Sequence, residues 1–415
     1  MRNVDIVWQN IFHDYPIIEE VQERGQFEIT ADIIKQYYEP RLVTKFDFSL
    51  ALPEVMQENN IAILPNTTGS YLLGNFDIFK AFPKETPKVY PVPFPDWIES
   101  INPNKIQSEA IAIASAQLTP MFADFFDDER LVSTVSGRMG SGRFDFFIGN
   151  NNIEVNSSQI EIDGALESPD RFVLLEGKNV LHKDFIVRQL YYPYRAFKDK
   201  ISKPIHTVFI TYSNNVYRLM EYRFAHPMHY DSCEFVREKR YCIDTEAITL
   251  NDIIDVYQRT RPVPEDPDVP FIQCDSFSKI INIIENLGTQ ESMTEDDISN
   301  LFEFTSRQGN YYFNGCRFLK LVKKEQQSIS LTARGKLVVS RKTHKARQLT
   351  LVEYIFEHNV FRAMFEIYLR TQQVPDKNTT MNLMRQFNVC SEALIDRRSR
   401  SVLTWFQWII DLFLN

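Results

Sequence analysis

Asp163, Glu176 and Lys178 fall within one stretch, QIEIDGALESPDRFVLLEGKN, at residues 159–179. Two short apolar runs flank a connection that carries Gly, Ser and Pro, and charged side chains are costly to place on half-buried strands. Strand alternation puts Glu176 and Lys178 on one face and Gly177 on the other. In QIEID, Glu161 and Asp163 share a face, and Ile160 and Ile162 take the opposite one. If the two runs pair through residues 164–171, then Asp163, Glu176 and Lys178 converge. Two carboxylates form a hard-oxygen site suited to Mg²⁺, with Mn²⁺ expected to substitute. Such an ion lowers the pKa of a bound water and offsets charge developing on a phosphate. A lysine two residues from one carboxylate is placed to hold the attacking water and touch the phosphate. The protein then contributes position and charge, and no covalent intermediate. The plain alternative is a surface hairpin with an ion pair. An isolated E-x-K is common, whereas D-x12-E-x-K with both halves on strands is more restrictive.

Other motifs carry less. SGRMGSGRF, at 136–144, has three glycines but no following helix, so it reads as a tight hairpin turn with Arg138 and Arg143 as backbone contacts, not as a nucleotide loop. His226, His229, Cys233 and Cys242 lie within 17 residues and are zinc-competent, but their spacing fits no common zinc pattern. The five cysteines form no CxxC pair, which suits reduced thiols. No run approaches a membrane span, and the first ten residues lack a signal peptide's apolar core, so a soluble cytoplasmic protein is expected.

The elements that must position the site divide the 415 residues into several units. Residues 1–95 mix short helix and strand patterns and end in a Pro-rich run. Residues 96–258 read as an α/β core with a mixed sheet: a helix over 102–126 capped by Asn104, a meander of strands, a helix at DFIVRQLYYPYRAFKDKI, then further strands. Residues 259–271, RTRPVPEDPDVPF, read as an extended linker. Residues 272–345 show three helices and a hairpin: FSKIINIIENLG stopped by its Gly, TEDDISNLFEF capped by Thr294, TSRQGNYYFNGCRFLKLV, and the hairpin KKEQQSISLTARGKLVV. That order predicts a winged helix. Residues 346–415 form a last helical, second winged-helix-like domain in which Trp405 and Trp408 read as core.

Net charge is −9, yet residues 305–347 hold eleven Lys or Arg and one acid, a +10 segment on a −19 remainder. A local basic stripe is the footprint of nucleic-acid binding. In the third helix, Arg307, Gln308, Asn310 and Asn314 are the side chains suited to base edges. Lys323, Lys324 and Arg334 are expected to meet phosphates. Arg397, Arg398 and Arg400 extend that surface, and Thr305 or Ser306 would cap the helix.

IEIDGALES, LLEGKN and DFIVRQLYYPYRAF together resemble the nuclease core of type II restriction endonucleases of the PD-(D/E)xK superfamily. The N-terminal EPRLVTKFDFSLALPEVMQENNIAILPNTTGSYLLGNF is similar to the opening region of that group. SRQGNYYFNGCRFLKLV with LTARGKLVV is similar to the winged helix attached to such enzymes. The resemblance implies a restriction-endonuclease-like fold that cuts double-stranded DNA at specific sequences. It implies Asp163 and Glu176 as metal-binding acids, the Gly177 carbonyl as a further ligand, Lys178 on the water and Glu109 as an extra acid. Glu161, Gln189 and Tyr192 would support them. It also implies a homodimer or DNA-induced dimer and a cognate DNA methyltransferase as functional partner. Ile162 stands where the superfamily has its proline. A non-catalytic winged-helix regulator is the other class, and it has no need of Lys178. A methyl-dependent or repair nuclease would share the chemistry.

Overall fold

Two nine-residue runs rich in β-branched and aromatic residues, Ile205–Ser213 and Val216–Phe224, form the centre of the fold. Asn214 and Asn215 join them, both at positive φ (57° and 58°), in a two-residue turn whose twist matches an antiparallel pair. The computed structural model describes residues 3–414 apart from 87, 104–105, 107, 180–181, 245 and 303–305. Seven strands make a mixed sheet in the order Val89–Val92, Cys233–Ile243, Val216–Phe224, Ile205–Ser213, Phe172–Lys178, Gly164–Glu167, Val132–Ser133. Phe172–Lys178 runs parallel to Ile205–Ser213 and antiparallel to Gly164–Glu167.

Both faces of this sheet are covered, so its central strands are apolar on both sides. On one face, Ile113 and Ala116 of helix Glu109–Gln117 pack with Val173, Leu175, Val208 and Ile210. On the other, Leu190, Tyr191 and Tyr192 of helix Arg188–Lys198 pack with Phe172, Leu174 and Phe209. The mixed α/β class is therefore as expected. Details differ. The helix expected over 102–126 is two helices, Glu109–Gln117 and Met121–Phe126, separated where Pro120 cannot continue the first. Its cap is Ser108, whose Oγ accepts from the Ile111 N–H at 3.2 Å; Asn104 lies outside the described residues. Residues 136–144 are not a hairpin turn. Gly137–Gly140 pairs with Gln159–Ile162, and Arg143–Ile148 pairs with Asn151–Asn156.

The N-terminal unit packs short helices around a three-stranded antiparallel sheet, Gln26–Thr30, Ser70–Gly74 and Ala62–Pro65. Its Leu64 and Leu72 share a core with Phe144 and Tyr192, and the Tyr192 hydroxyl donates to the Pro65 carbonyl at 2.9 Å. This unit is thus welded to the flank of the main sheet.

Helices Phe277–Gln290, Glu295–Leu301 and Ser306–Phe318 precede a two-stranded hairpin, Val322–Glu325 with Ser328–Leu331. Thr294 caps the second helix reciprocally with Asp297. The first helix runs through Gly288 and ends only where Glu291 turns to φ 64°. ARGKLVV is helical, Ala333–Val339, capped by Thr332, and is not the outer strand of a wing. Among the described residues no strand follows Leu331, so the last four helices form no second winged module; one core runs from Ile248 to Ile410. Trp405 is fully buried there, its Nε1 donating to the Cys274 carbonyl at 2.9 Å. The proline-rich segment is extended but not loose. Phe271 and Ile272 are buried, and the Val263 N–H donates to the Glu357 carbonyl at 2.8 Å. Helix Leu250–Arg259 packs Ile253 and Val256 into the same core.

The C-terminal unit grips the Asn214 turn. Gln348 and Asn214 exchange amide hydrogen bonds at 2.7 and 3.1 Å. Glu285 accepts the Asn214 N–H at 3.0 Å, and His344 Nδ1 lies 3.1 Å from the Asn214 carbonyl oxygen.

Candidate active site

Asp163 stands one residue before the strand Gly164–Glu167, whose Gly164 opposes Leu175, so it lies beside the end of Phe172–Lys178. The pairing is not the one expected: QIEI pairs with Gly137–Gly140, and only GALE pairs with the 172–178 strand. The convergence is nevertheless reached. Asp163 Oδ2 accepts the Gly177 N–H at 2.8 Å, and Lys178 Nζ donates to Glu176 Oε1 at 3.0 Å. Glu176 and Lys178 share the face covered by helix Arg188–Lys198. Gly177 faces the other way, where a Cβ would come within 3.0 Å of Ile113. Glu109, at the start of its helix, brings Oε2 to 3.8 Å from Lys178 Nζ.

These groups lie in an open cleft of about 400 Å³. Glu176 is only 6% exposed. Burial pushes its carboxyl up to about 8; Asp163 adds to the rise and Lys178 opposes it. Burial also raises Glu109. For Lys178, burial alone pulls the ammonium down, but the carboxylates of Glu176, Asp47 and Glu109 outweigh it and hold the group above its ordinary value. Lys178 is thus a charged donor.

Four further cations line the cleft: Arg41, Lys45, Arg138 and Arg188. Arg138 lies in the glycine-bearing stretch read as a turn with backbone-contacting arginines, and Arg188 lies beside Gln189; Arg41 and Lys45 come from an element remote in the chain. Glu161 is exposed and pairs with Arg138 at 3.3 Å, its cross-strand partner. Gln189 lines the cleft, and its Oε1 is buried without a hydrogen-bond partner among the described residues. Tyr192 also lines the cleft, but its hydroxyl is committed to Pro65.

On the helix Ser306–Phe318, Arg307, Asn310, Asn314 and Arg317 recur along one stripe. Asn314 donates to Asn310 at 2.7 Å, and Arg317 donates to Asn314 at 3.3 Å. Arg307 and Gln308 are exposed. Thr305 lies outside the described residues. The neighbouring basic segment is less basic in space than in sequence. Lys324 pairs with Glu295, Arg334 with Glu357, Lys345 with Glu246 and Asp252, and Arg347 with Glu285, all acids from outside residues 305–347; Lys323 pairs with Glu325. Arg334 makes two hydrogen bonds to Glu357, at 2.8 and 3.0 Å, and lies 3.7 Å over the Tyr354 ring. That is a joint between helices, not a phosphate contact. Arg334→Ala is expected to lower stability by about 1–3 kcal/mol in a urea melt, since it leaves a half-buried Glu357 unpaired. A melt indistinguishable from wild type would return Arg334 to the DNA face. Arg398 is likewise buried, leaving Arg397 and Arg400 exposed.

The zinc arrangement is excluded by geometry. Cys233 and Cys242 sit at opposite ends of one extended strand, and nine strand steps of ~3.3 Å separate them by roughly 30 Å. Among the described residues, no group of three or more His, Cys, Asp or Glu side chains is assembled in metal-ligating geometry.

Three domain models match the chain in succession. Residues 5–73 match a domain of unknown function (DUF6996), residues 74–242 another (DUF6997), and residues 279–413 a third (DUF7226). None of these descriptions names an activity. The second match ends at the last strand of the main sheet. No curated protein and no solved structure matches the chain. No described helix is long and apolar enough to cross a membrane.

Proposed function

We propose that the protein is a Mg²⁺-dependent, sequence-specific DNA endonuclease of the PD-(D/E)xK kind, with residues 277–331 as its winged helix. The observation that carries this reading is the meeting of Asp163, Glu176 and Lys178 at the end of the strand Phe172–Lys178, inside a cleft rimmed by Arg41, Lys45, Arg138 and Arg188.

The donor set fits a divalent cation. Two carboxyl groups are crowded beside one ammonium, and burial raises the proton affinity of Glu176 well above the ordinary carboxylate range. Asp163, Glu176 and the Gly177 carbonyl would hold the ion. Once bound, it acidifies a water and offsets phosphate charge. The chain's own groups do the rest. Lys178, fixed as an ammonium, donates to the attacking water or to a phosphate oxygen and orients either one. It is not a proton acceptor. The rim cations draw the backbone toward the acids, which alone would repel it. The stripe from Arg307 to Arg317, exposed at Arg307 and half-buried at Asn310, Asn314 and Arg317, would offer guanine- and adenine-directed donors and acceptors. A DNA-induced dimer and a partner methyltransferase belong to the same reading.

Incubation with long unmodified DNA and Mg²⁺ or Mn²⁺, followed by mapping of the ends, is the direct test. Discrete fragments are expected, and none should form in chelator. Binding should weaken steeply with salt, by roughly 0.9 log units of affinity per log unit of salt for each phosphate contacted. Arg188→Ala and Arg41→Ala should each flatten that slope by about one unit without changing the preferred sequence. Unchanged slopes would remove the cleft from the DNA path.

A further inference from the structure

Lys178 has three carboxylate neighbours, and only Glu176 and Glu109 come from the main sheet and its flanking helix. The third, Asp47, belongs to the N-terminal unit. Its Oδ2 lies 3.9 Å from Lys178 Nζ and 3.8 Å from Lys45 Nζ. The side chain is 19% exposed, and its Oδ1 is buried with no hydrogen-bond partner among the described residues. Such a carboxylate costs folding energy unless a charge nearby offsets it.

The backbone around it is pinned at three points. The Ile186 N–H donates to the Asp47 carbonyl at 2.9 Å. Phe48 stacks on His182, and the Ser49 N–H donates to Asp184 at 2.9 Å. All three anchors lie between the strand that ends at Lys178 and the helix Arg188–Lys198. Asp47 is therefore held in register with the site, although it belongs to a separate unit. It does not line the cleft, whereas Lys178, Glu176 and Glu109 do. It reaches the lysine from behind.

We infer that Asp47 is a positioning residue for Lys178, holding the ammonium against the far wall so that its remaining donors face the cleft. This rests on the nuclease reading above. An ammonium bonded to Glu176 alone would be drawn onto a carboxylate that the metal needs. Asp47 divides that attraction from outside the lining of the cleft. The N-terminal unit thus completes the site as well as flanking it.

Steady-state cleavage by full-length Asp47→Asn, Asp47→Ala and Asp47→Glu variants, on a duplex the wild type cuts, provides the test. Loss of the charge should lower kcat by about 10- to 100-fold, the range for residues that orient a site from behind, with KM and the Mg²⁺ concentration for half-maximal rate unchanged. Asp47→Glu should recover part of the rate, and the melting temperature of Asp47→Asn should match wild type. A raised Mg²⁺ requirement would make Asp47 a ligand and overturn the assignment. Equal loss in Asp47→Glu with a lowered melting temperature would reduce it to a structural contact. Wild-type kcat in Asp47→Asn sinks this inference alone, whereas a wild-type protein that cuts no DNA sinks the nuclease reading and the inference with it.

Discussion

Asp163→Asn and Lys178→Ala should each abolish DNA cleavage, by on the order of 10³-fold or more, while DNA binding survives. A metal ligand, or the donor that orients the water, is worth several kcal/mol in the transition state, and about 1.4 kcal/mol is tenfold in rate. Asn is the better first choice at 163. Asp163 accepts the Gly177 N–H at 2.8 Å, and Ala would leave that donor unpaired and cost stability for a reason unrelated to chemistry. Asn keeps an oxygen there and removes the charge. Lys178→Ala removes the ammonium bonded to Glu176, so its fold needs checking by melting as well as its cutting by gel. Binding should persist in both because Arg41, Lys45, Arg138 and Arg188 remain. If Lys178→Ala cut at the wild-type rate, this hairpin would not be a nuclease site.

Glu176→Gln should lose cleavage yet stabilise the metal-free protein at alkaline pH. The Glu176 carboxyl titrates near 8 in the fold against 4.5 for the ordinary group, so the native state holds the proton more tightly than the unfolded chain. The stability this contributes is fully present below about 4.5 and is lost as pH rises through about 8. Gln carries no such titration. In chelator, the stability difference between variant and wild type should therefore move in the variant's favour from pH 6 to pH 9, by on the order of a few kcal/mol. Urea melts at the two pH values measure it. Mg²⁺ should restore wild type more than the variant. A difference that stays constant with pH would mean that the Glu176 carboxyl is solvated and not held buried at the base of the cleft.

The hairpin was legible because its signal is local: alternation placed Glu176 opposite Gly177, and the burial of Ile160 and Ile162 follows the same rule. Partnership between strands was not legible. Nothing in QIEID announces Gly137–Gly140 as its neighbour, yet Asp163 reaches Glu176 because the chain passes directly into the strand that does pair. Asp47, Arg41 and Lys45 were invisible because they arrive through tertiary docking, with no spacing to betray them. The basic segment was over-read for the converse reason. A count along the chain cannot see Glu246, Glu285, Glu295 and Glu357 folding onto Lys345, Arg347, Lys324 and Arg334. The prolines at 262–270 suggested a tether, but the chain between them is tied to the helical unit, Val263 through its N–H to the Glu357 carbonyl and Glu265 to His358.

The grip on Asn214 has a geometric consequence. Three side chains of the C-terminal unit, Gln348, Glu285 and His344, fasten it to the tip of the same two-strand arm whose other partner strand ends in Lys178. Under the nuclease reading proposed above, a helix 306–318 fastened in that way would set one spacing between the bound sequence and the break, so mapped ends on different substrates are expected at the same number of base pairs from the site.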